Sequence, residues 1–399
     1  MKFLESKTLP VQALALLCSG HFYSHFAMLC IAPMFLLMSA DMKVSFTELG
    51  ALISVMAFST GVGQIPMGYL VDRIGGCRVL IFGVGLMSVC FLISGMIGTY
   101  WLIFFAFGLA GIGNSVFHPA DYEMLNSLLN KSVFAHGVSL HMFSGYMGWA
   151  AAYAVMLPMA NFIGWQNALA VVGVLGLLLT LLLISRKNVL EVKNSLELSL
   201  GNQLKSKVEL KKALRFIFSA PLVNMFLFFS LTAIGIAGLM SFSVVALVSY
   251  HAIDEYFASL STTLHLVSCA LGVLIGGWIA NCIKHQEFIT AVSIATMSAC
   301  VAGLAFSGVD FWFIFLMMIA GGLAYGISSP SRDVLVKKVS PKEMTGLAFG
   351  FTSTGFSIGN LVGPIFAGWI MDSGRPEFFF LAIALIIAIS IITLIKARI

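Results

Sequence analysis

His21 and His25 stand four residues apart in an apolar stretch, so a helix sets both on one face. Asn114, His118, Asp121 and Tyr122 recur at helical spacing in another apolar run, and His141 and Gln64 come from two more. Ionisable groups inside apolar runs are costly to desolvate and read as functional by default. Imidazoles change charge near physiological pH, which suits them to moving protons. A histidine pair also suits an organic anion or a metal chelate as ligand. The plainer alternative is that a buried imidazole donates a helix–helix hydrogen bond, worth about 0.6 kcal/mol. Later in the chain Tyr325, Ser328, Ser329, Arg332 and Asp333 cluster on one apolar run, and His265 lies deep in another. His136, His251 and His285 fall near run ends and carry no assigned role.

The elements that must hold these residues are membrane spans. A bilayer crossing needs about 20 apolar residues. Such runs recur at 9–39, 45–71, 77–98, 100–129, 132–159, 163–185, 220–249, 255–283, 287–307, 310–336, 342–372 and 376–396. Period-2 alternation is absent, so the twelve spans are helices. The first run is long enough to remain as an anchor. Of the 399 residues, 59% are hydrophobic and 10% charged, against about a quarter charged in a soluble chain. The formal charge of +5 arises from 186–215, which holds eight Lys/Arg against three Glu. That is a topology signal and excludes a nucleic-acid-binding face. Seven cysteines are scattered singly without CxxC, which supports neither a disulfide framework nor a zinc site, so no metal is assigned.

Placing the N-terminus in the cytoplasm leaves only Lys43 and Arg375 of the 22 Lys/Arg outside. Both termini are then cytoplasmic. On this topology His21 and His118 lie at comparable heights, with Asp121 about one turn closer to the cytoplasm, taking about 1.5 Å of rise per residue. The polar stretch 186–219 divides the chain into a bundle over 1–185, a cytoplasmic linker and a bundle over 220–399. Its spaced Leu and Val with interleaved Lys and Glu suggest a partly amphipathic surface helix.

An internal repeat supports that division. At an offset of 211, the span from Tyr100 lies on the span from Phe311, matching Trp101 to Trp312, Gly111 to Gly322 and Pro119 to Pro330. Gly145-Tyr-Met-Gly148 corresponds to Gly355-Phe-Ser-Ile-Gly359, and Gly68 to Gly277. Parallel repeats of this kind place a substrate site near the midplane. The same offset sets Arg332 opposite Asp121, as a charge pair expected to meet when the cytoplasmic side closes, or as two unrelated charges.

Three motifs carry a family resemblance. Gly68-Tyr-Leu-Val-Asp72-Arg73-Ile-Gly75-Gly76-Cys77-Arg78 resembles the loop signature of major facilitator transporters, with Gly76 where many members have a base and Arg78 available to substitute. Gly359-Asn-Leu-Val-Gly363-Pro364 in span 11 is similar to a pattern that drug antiporters of that family carry in span 5. Its displacement weakens an antiporter reading. Phe117-His118-Pro119 resembles the fosmidomycin-resistance branch.

The resemblance implies an all-α membrane protein with the major facilitator fold, two six-helix bundles related by a pseudo-twofold. It implies a cavity lined by spans 1, 4, 7 and 10, and hence by His21, His25, Asn114, His118, Asp121, Tyr122, Tyr325, Ser329 and Arg332, with His141 entering from span 5. It also implies a latch on the outward-facing state at Gly68, Asp72, Arg73 and Arg78, and Glu123 is expected by its position to pair with Arg73 or Arg78.

The function expected is secondary active transport of a small anionic or amphiphilic organic solute, as proton-coupled efflux. The runner-up is proton-coupled import of an organic anion or a siderophore-like metal chelate. No GxxxxGK(S/T) motif supports a nucleotide-driven pump, and no cofactor is expected. An intramembrane enzyme lacks a paired nucleophile and base, and a receptor would normally append a soluble domain. The partners expected are the solute, protons and the bilayer of a bacterial inner membrane, with the protein acting as a monomer.

Overall fold

The computed structural model describes residues 2–129, 131–191, 210–341 and 344–397, and every regular element among them is a helix. In chain order these are α1 (Lys2–Leu29), a 3-10 turn (Ala32–Met34), α2 (Phe35–Met42), α3 (Phe46–Ile74), α4 (Gly76–Ile97), α5 (Tyr100–Asn114), α6 (Phe117–Leu128), α7 (Lys131–Ile163), α8 (Trp165–Ser185) and α9 (Lys187–Leu190). There follow α10 (Leu210–Ile217), α11 (Ala220–His251), α12 (Glu255–Cys282), α13 (Gln286–Gly303), α14 (Phe311–Val339), α15 (Thr345–Asp372) and α16 (Glu377–Lys396). Among the described residues ten segments are long and apolar enough to cross a membrane, with α1 to α2 forming one (Val11–Met42) and α5 to α6 another (Tyr100–Leu128). The long helices α7 and α13 occupy the places of expected spans 5 and 9. The expected amphipathic helix falls largely on 192–209, outside the described residues.

Helix starts are set by polar caps. Asp254 Oδ1 accepts the Tyr256 N–H at 2.8 Å, and Asp310 Oδ1 accepts the Phe313 N–H at 2.7 Å. Ser45 and Glu48 form a reciprocal box before α3, with Ser45 N–H donating to Glu48 Oε2 and Glu48 N–H to Ser45 Oγ. Each arrangement satisfies backbone donors that a helix start leaves without partners.

The chain folds into two compact units, Met1–Met34 with Val55–Lys205, and Phe35–Ser54 with Ser206–Ile399. Relative to the division at 186–219, one segment differs, because Phe35–Ser54 packs inside the second unit. The reason is close approach of backbones. A Cβ on Gly50 would meet the Pro364 carbonyl, and one on Gly368 the Phe46 carbonyl. Asp372 accepts from Phe46 N at 2.8 Å and Thr47 N at 2.7 Å.

Within the first unit α1 packs on α7, and α4 on α8 and α5. Within the second, α11 packs on α15, α13 on α16 and α14, and α12 on α14. The repeated sequence thus folds into repeated helix pairings. Phe91 and Phe107 centre the apolar core of the first unit, and Phe228 and Phe242 that of the second.

Candidate functional site

The site begins where α1 meets α7. A Cβ on Gly145 would stand 2.7 Å from His21 Cδ2 and Nε2 and 2.9 Å from His25 Cε1, and one on Gly148 would strike the Phe22 carbonyl. Small residues allow helices this close within a membrane. They bring the His21 and His25 rings, with centroids 4.3 Å apart, against α7. His141, one turn before Gly145, places its ring 3.9 Å from that of His21.

Asp121 of α6 enters this histidine layer. It is 0% exposed, and His21 and His141 are each 1% exposed. Its Oδ2 lies 3.3 Å from His141 Nε2 and 3.7 Å from His21 Nδ1. These are ion-pair distances without hydrogen-bond alignment. Among the described residues, both Asp121 oxygens and both His21 nitrogens lack an aligned hydrogen-bond partner. A buried carboxylate between neutral imidazoles is an uncompensated charge, which costs several kcal/mol in an apolar interior. One proton on either ring turns that charge into a neutral pair. The arrangement is one that could hold a proton shared between the carboxylate and an imidazole.

The ligating atoms of His21, Asp121 and His141 lie within 4.8 Å of one another, a spacing a metal ion could also use. Metal-bound imidazoles nearly always donate their second ring nitrogen to an acceptor. Among the described residues His21 Nε2 has no such acceptor, so that supporting contact of a metal site is missing there.

Other expected residues are placed differently. Span 4 breaks between α5 and α6, and Asn114 and Asp121 on either side of the break both reach α1, at Ser24 and His21. Pro119 lacks the N–H that a continuous helix would donate to Ser115. Asn114 clamps two helices, accepting from Ser24 Oγ at 2.5 Å and donating to Thr60 Oγ1 at 3.2 Å. Asp121, expected a turn below His21, brings its carboxylate to 3.7 Å from His21 Nδ1. His118 is exposed with its ring centroid 6.3 Å from that of His21, and Tyr122 is exposed on the same helix. His25 is half-buried, its ring 4.3 Å from Trp149.

In the second unit, His265 Nδ1 lies 2.8 Å from the Met318 carbonyl, the plain interhelical role. Tyr325 and Ser329 are buried, and the Arg332 guanidinium lies over the Phe229 ring at 4.7 Å.

The expected latch is partly rearranged. Gly75 turns the chain with φ 88°, a conformation that favours glycine. Asp72, Arg73 and Arg78 are exposed, Gly68 is half-buried, and Arg73 lies over the Tyr69 ring at 4.6 Å. Among the described residues no ion pair joins Glu123 to Arg73 or Arg78. Glu123 instead accepts from the Gly76 backbone at the start of α4, where the helix dipole favours a carboxylate. This corrects the expected pairing.

Ser24, Thr60 and Trp149 escaped the sequence reading. Ser24 had a signal, lying three residues past His21 on the same helical face, and Trp149 directly follows the Gly145-x-x-Gly148 pair.

Residues 17–251 and 225–398 each match the Major Facilitator Superfamily. The chain belongs to that superfamily. It is 20% identical to a D-galactonate transporter of Escherichia coli O6:H1 over 381 residues, covering 89% of this chain and 88% of that one. It is 22% identical to Multidrug resistance protein 2 of Bacillus subtilis over 402 residues, covering 97% and 95%. The crystal structure of the nucleoside transporter NupG shares its fold, with a TM-score of 0.77 at 14% identity and coverage of 96% of this chain and 100% of that one. As a major facilitator this chain is a multi-pass membrane transporter of small organic solutes and not an enzyme.

Proposed function

We propose that this transporter exports a small anionic or amphiphilic organic solute by alternating access, in exchange for protons. In this reading it acts as a monomer in a bacterial inner membrane with both termini cytoplasmic. The observation that carries it is the buried Asp121 carboxylate between two imidazoles. His21 faces Asp121 from α1 and His141 from α7, while His25 and His118 stand next to His21, and Cys18 lies beside His141. Export is supported by the full-length likeness to a multidrug resistance protein and by the Phe117-His118-Pro119 resemblance to the fosmidomycin-resistance branch. Import of an organic anion is the second reading, favoured by the likeness to a D-galactonate transporter.

Vesicle orientation separates the two. Inside-out proteoliposomes with an acid lumen accumulate an exported solute, whereas right-side-out vesicles in acid medium accumulate an imported one. D-galactonate and ethidium serve as the anionic and amphiphilic probes. His25→Ala and His118→Ala each lower gradient-driven uptake at least about tenfold, because each removes an imidazole beside the proton site. His251→Ala keeps the wild-type rate, since its ring bonds the Leu304 carbonyl in the second unit. Wild-type, pH-dependent uptake in both the His25 and His118 variants defeats the assignment.

Asp72 and Arg73 are proposed to stabilise the outward-facing state. Losing one exposed charge costs at most about 1 kcal/mol, enough to shift a conformational equilibrium several-fold without unfolding. Asp72→Asn therefore raises maleimide labelling of Tyr122→Cys from the cytoplasmic side, in a background lacking the native cysteines, at unchanged expression. Unchanged labelling with lost transport assigns Asp72 another role.

A further inference from the structure

A cavity of about 880 Å³ lies at one end of the second unit, a volume within the range of roughly 300–1,000 Å³ typical of ligand pockets. It is bounded by the starts of α11 and α13 and the ends of α12, α14 and α16. On the proposed topology that end is cytoplasmic. Its wall is largely apolar, with Phe288 on α13, Leu335 and Val339 on α14 and Leu394 on α16. Phe288 is 69% exposed, so part of this wall is open to the surroundings. Apolar surface left in water is unfavourable, and a bound apolar chain relieves that.

The polar part of the lining is basic. Lys338 Nζ lies 3.4 Å from Glu287 Oε1 and 3.5 Å from the Lys284 carbonyl. Both contacts are long beside the roughly 2.7–2.9 Å of a charge-assisted hydrogen bond, and an ammonium has a third N–H to donate. The two side chains are 46% and 37% exposed, so this is a solvated and weak ion pair. Lys284 and Lys396 adjoin the lining residues His285 and Ala397, and Lys337 adjoins Lys338. Four lysines thus stand in or next to the lining against one lining carboxylate, Glu287.

The first unit fills the matching end with its own chain. There α9 follows α8, the repeat counterpart of α16, and lies against α1. Its Leu190 is 1% exposed, and the Lys187 carbonyl lies 4.0 Å from Cys77 Sγ at the start of α4. In the first repeat, then, an apolar group occupies this end of the bundle.

We propose that the cavity of the second unit binds an anionic phospholipid, with an acyl chain on the apolar wall and the phosphate among Lys284, Lys337, Lys338 and Lys396. The bilayer surrounds the helices with lipid, and lysines at the ends of spans draw anionic headgroups to basic pockets between them. Lysine suits the role because its stem packs on apolar surface while its ammonium reaches the headgroup. The site uses none of the solute and proton groups of the first unit and is independent of the direction of transport.

Detergent-purified full chain is titrated with phosphatidylglycerol, phosphatidylcholine of the same acyl chains, and inorganic phosphate. Bound lipid is counted by native mass spectrometry, and thermal stabilisation is measured in parallel. Phosphatidylglycerol binds at least about tenfold more tightly than phosphatidylcholine, taking about fivefold for each lysine near a headgroup. Inorganic phosphate does not stabilise the protein. Lys338→Gln lowers the phosphatidylglycerol affinity about fivefold. Val339→Trp, which fills the cavity and keeps every lysine, weakens both lipids. Each variant is checked for a monodisperse elution profile, and should Val339→Trp fail it, Lys338→Gln decides alone. Equal affinity of the wild type for the two lipids overturns the proposal, as does unchanged phosphatidylglycerol affinity in Lys338→Gln or in a folded Val339→Trp. Stabilisation by inorganic phosphate as large as that by phosphatidylglycerol assigns the lysines to a free anion and overturns the lipid.

Discussion

Asp121→Asn in proteoliposomes reduces solute accumulation driven by a pH gradient to the level of protein-free vesicles, while solute counterflow without a gradient persists. The amide keeps the volume of the carboxylate and removes its charge. With that charge gone, a proton on His21 or His141 becomes an unpaired buried cation, and neither ring retains it. The site therefore cycles without protons. Because the substitution also removes a buried charge that lacks aligned hydrogen bonds, thermal stability is unchanged or raised. His141→Ala, which strands the carboxylate instead, lowers stability. Transport by the wild type varies with pH across the imidazole range, and the Asp121→Asn rate is flat there. Retained accumulation in Asp121→Asn assigns proton coupling to other groups.

Gly148→Leu unfolds or severely destabilises the first unit, whereas Gly145→Ala folds and fails in transport. The two glycines share one helix face but meet different atoms. At Gly148 the obstructing atoms include the Phe22 carbonyl and Phe26 N of the α1 backbone, which no rotamer change can move. Forcing a side chain there separates α1 from α7 and costs about 1–3 kcal/mol or more. At Gly145 the nearest atoms are the imidazoles of His21 and His25, the movable ends of side chains. An added methyl displaces those rings from Asp121 while the helices stay together. Melting temperature and gradient-driven uptake, measured on both variants, check the contrast. A Gly145→Ala protein with wild-type transport shows that the ring positions tolerate displacement.

Much of this protein was legible in its sequence because a bilayer imposes one dominant rule. Apolar runs long enough to cross it must be helices, so the expected span at 220–249 and the observed Ala220–His251 differ by two residues. The repeat between the Tyr100 and Phe311 spans was equally visible, since matched Trp, Gly and Pro positions survive in order along the chain. Positively charged loops and a family motif around Asp72 required no fold to be noticed.

The chemistry of the site was decided by contacts that sequence spacing does not encode. His25 and His118 looked central by period and depth, yet the carboxylate sits between His21 and His141. Asn114 and Asp121 both reach α1, but Asn114 meets Ser24 and Thr60 while Asp121 meets His21 and His141, a partition that their seven-residue spacing does not give. His265 had the same composition signal as His21, but a carbonyl within reach made it a packing residue. Glu123 found the start of α4 and not the arginines, because a helix N-terminus offers a fixed, nearby N–H donor while exposed arginines remain in water. Which polar group meets which is a property of three-dimensional distance, and only the packed helices supply it.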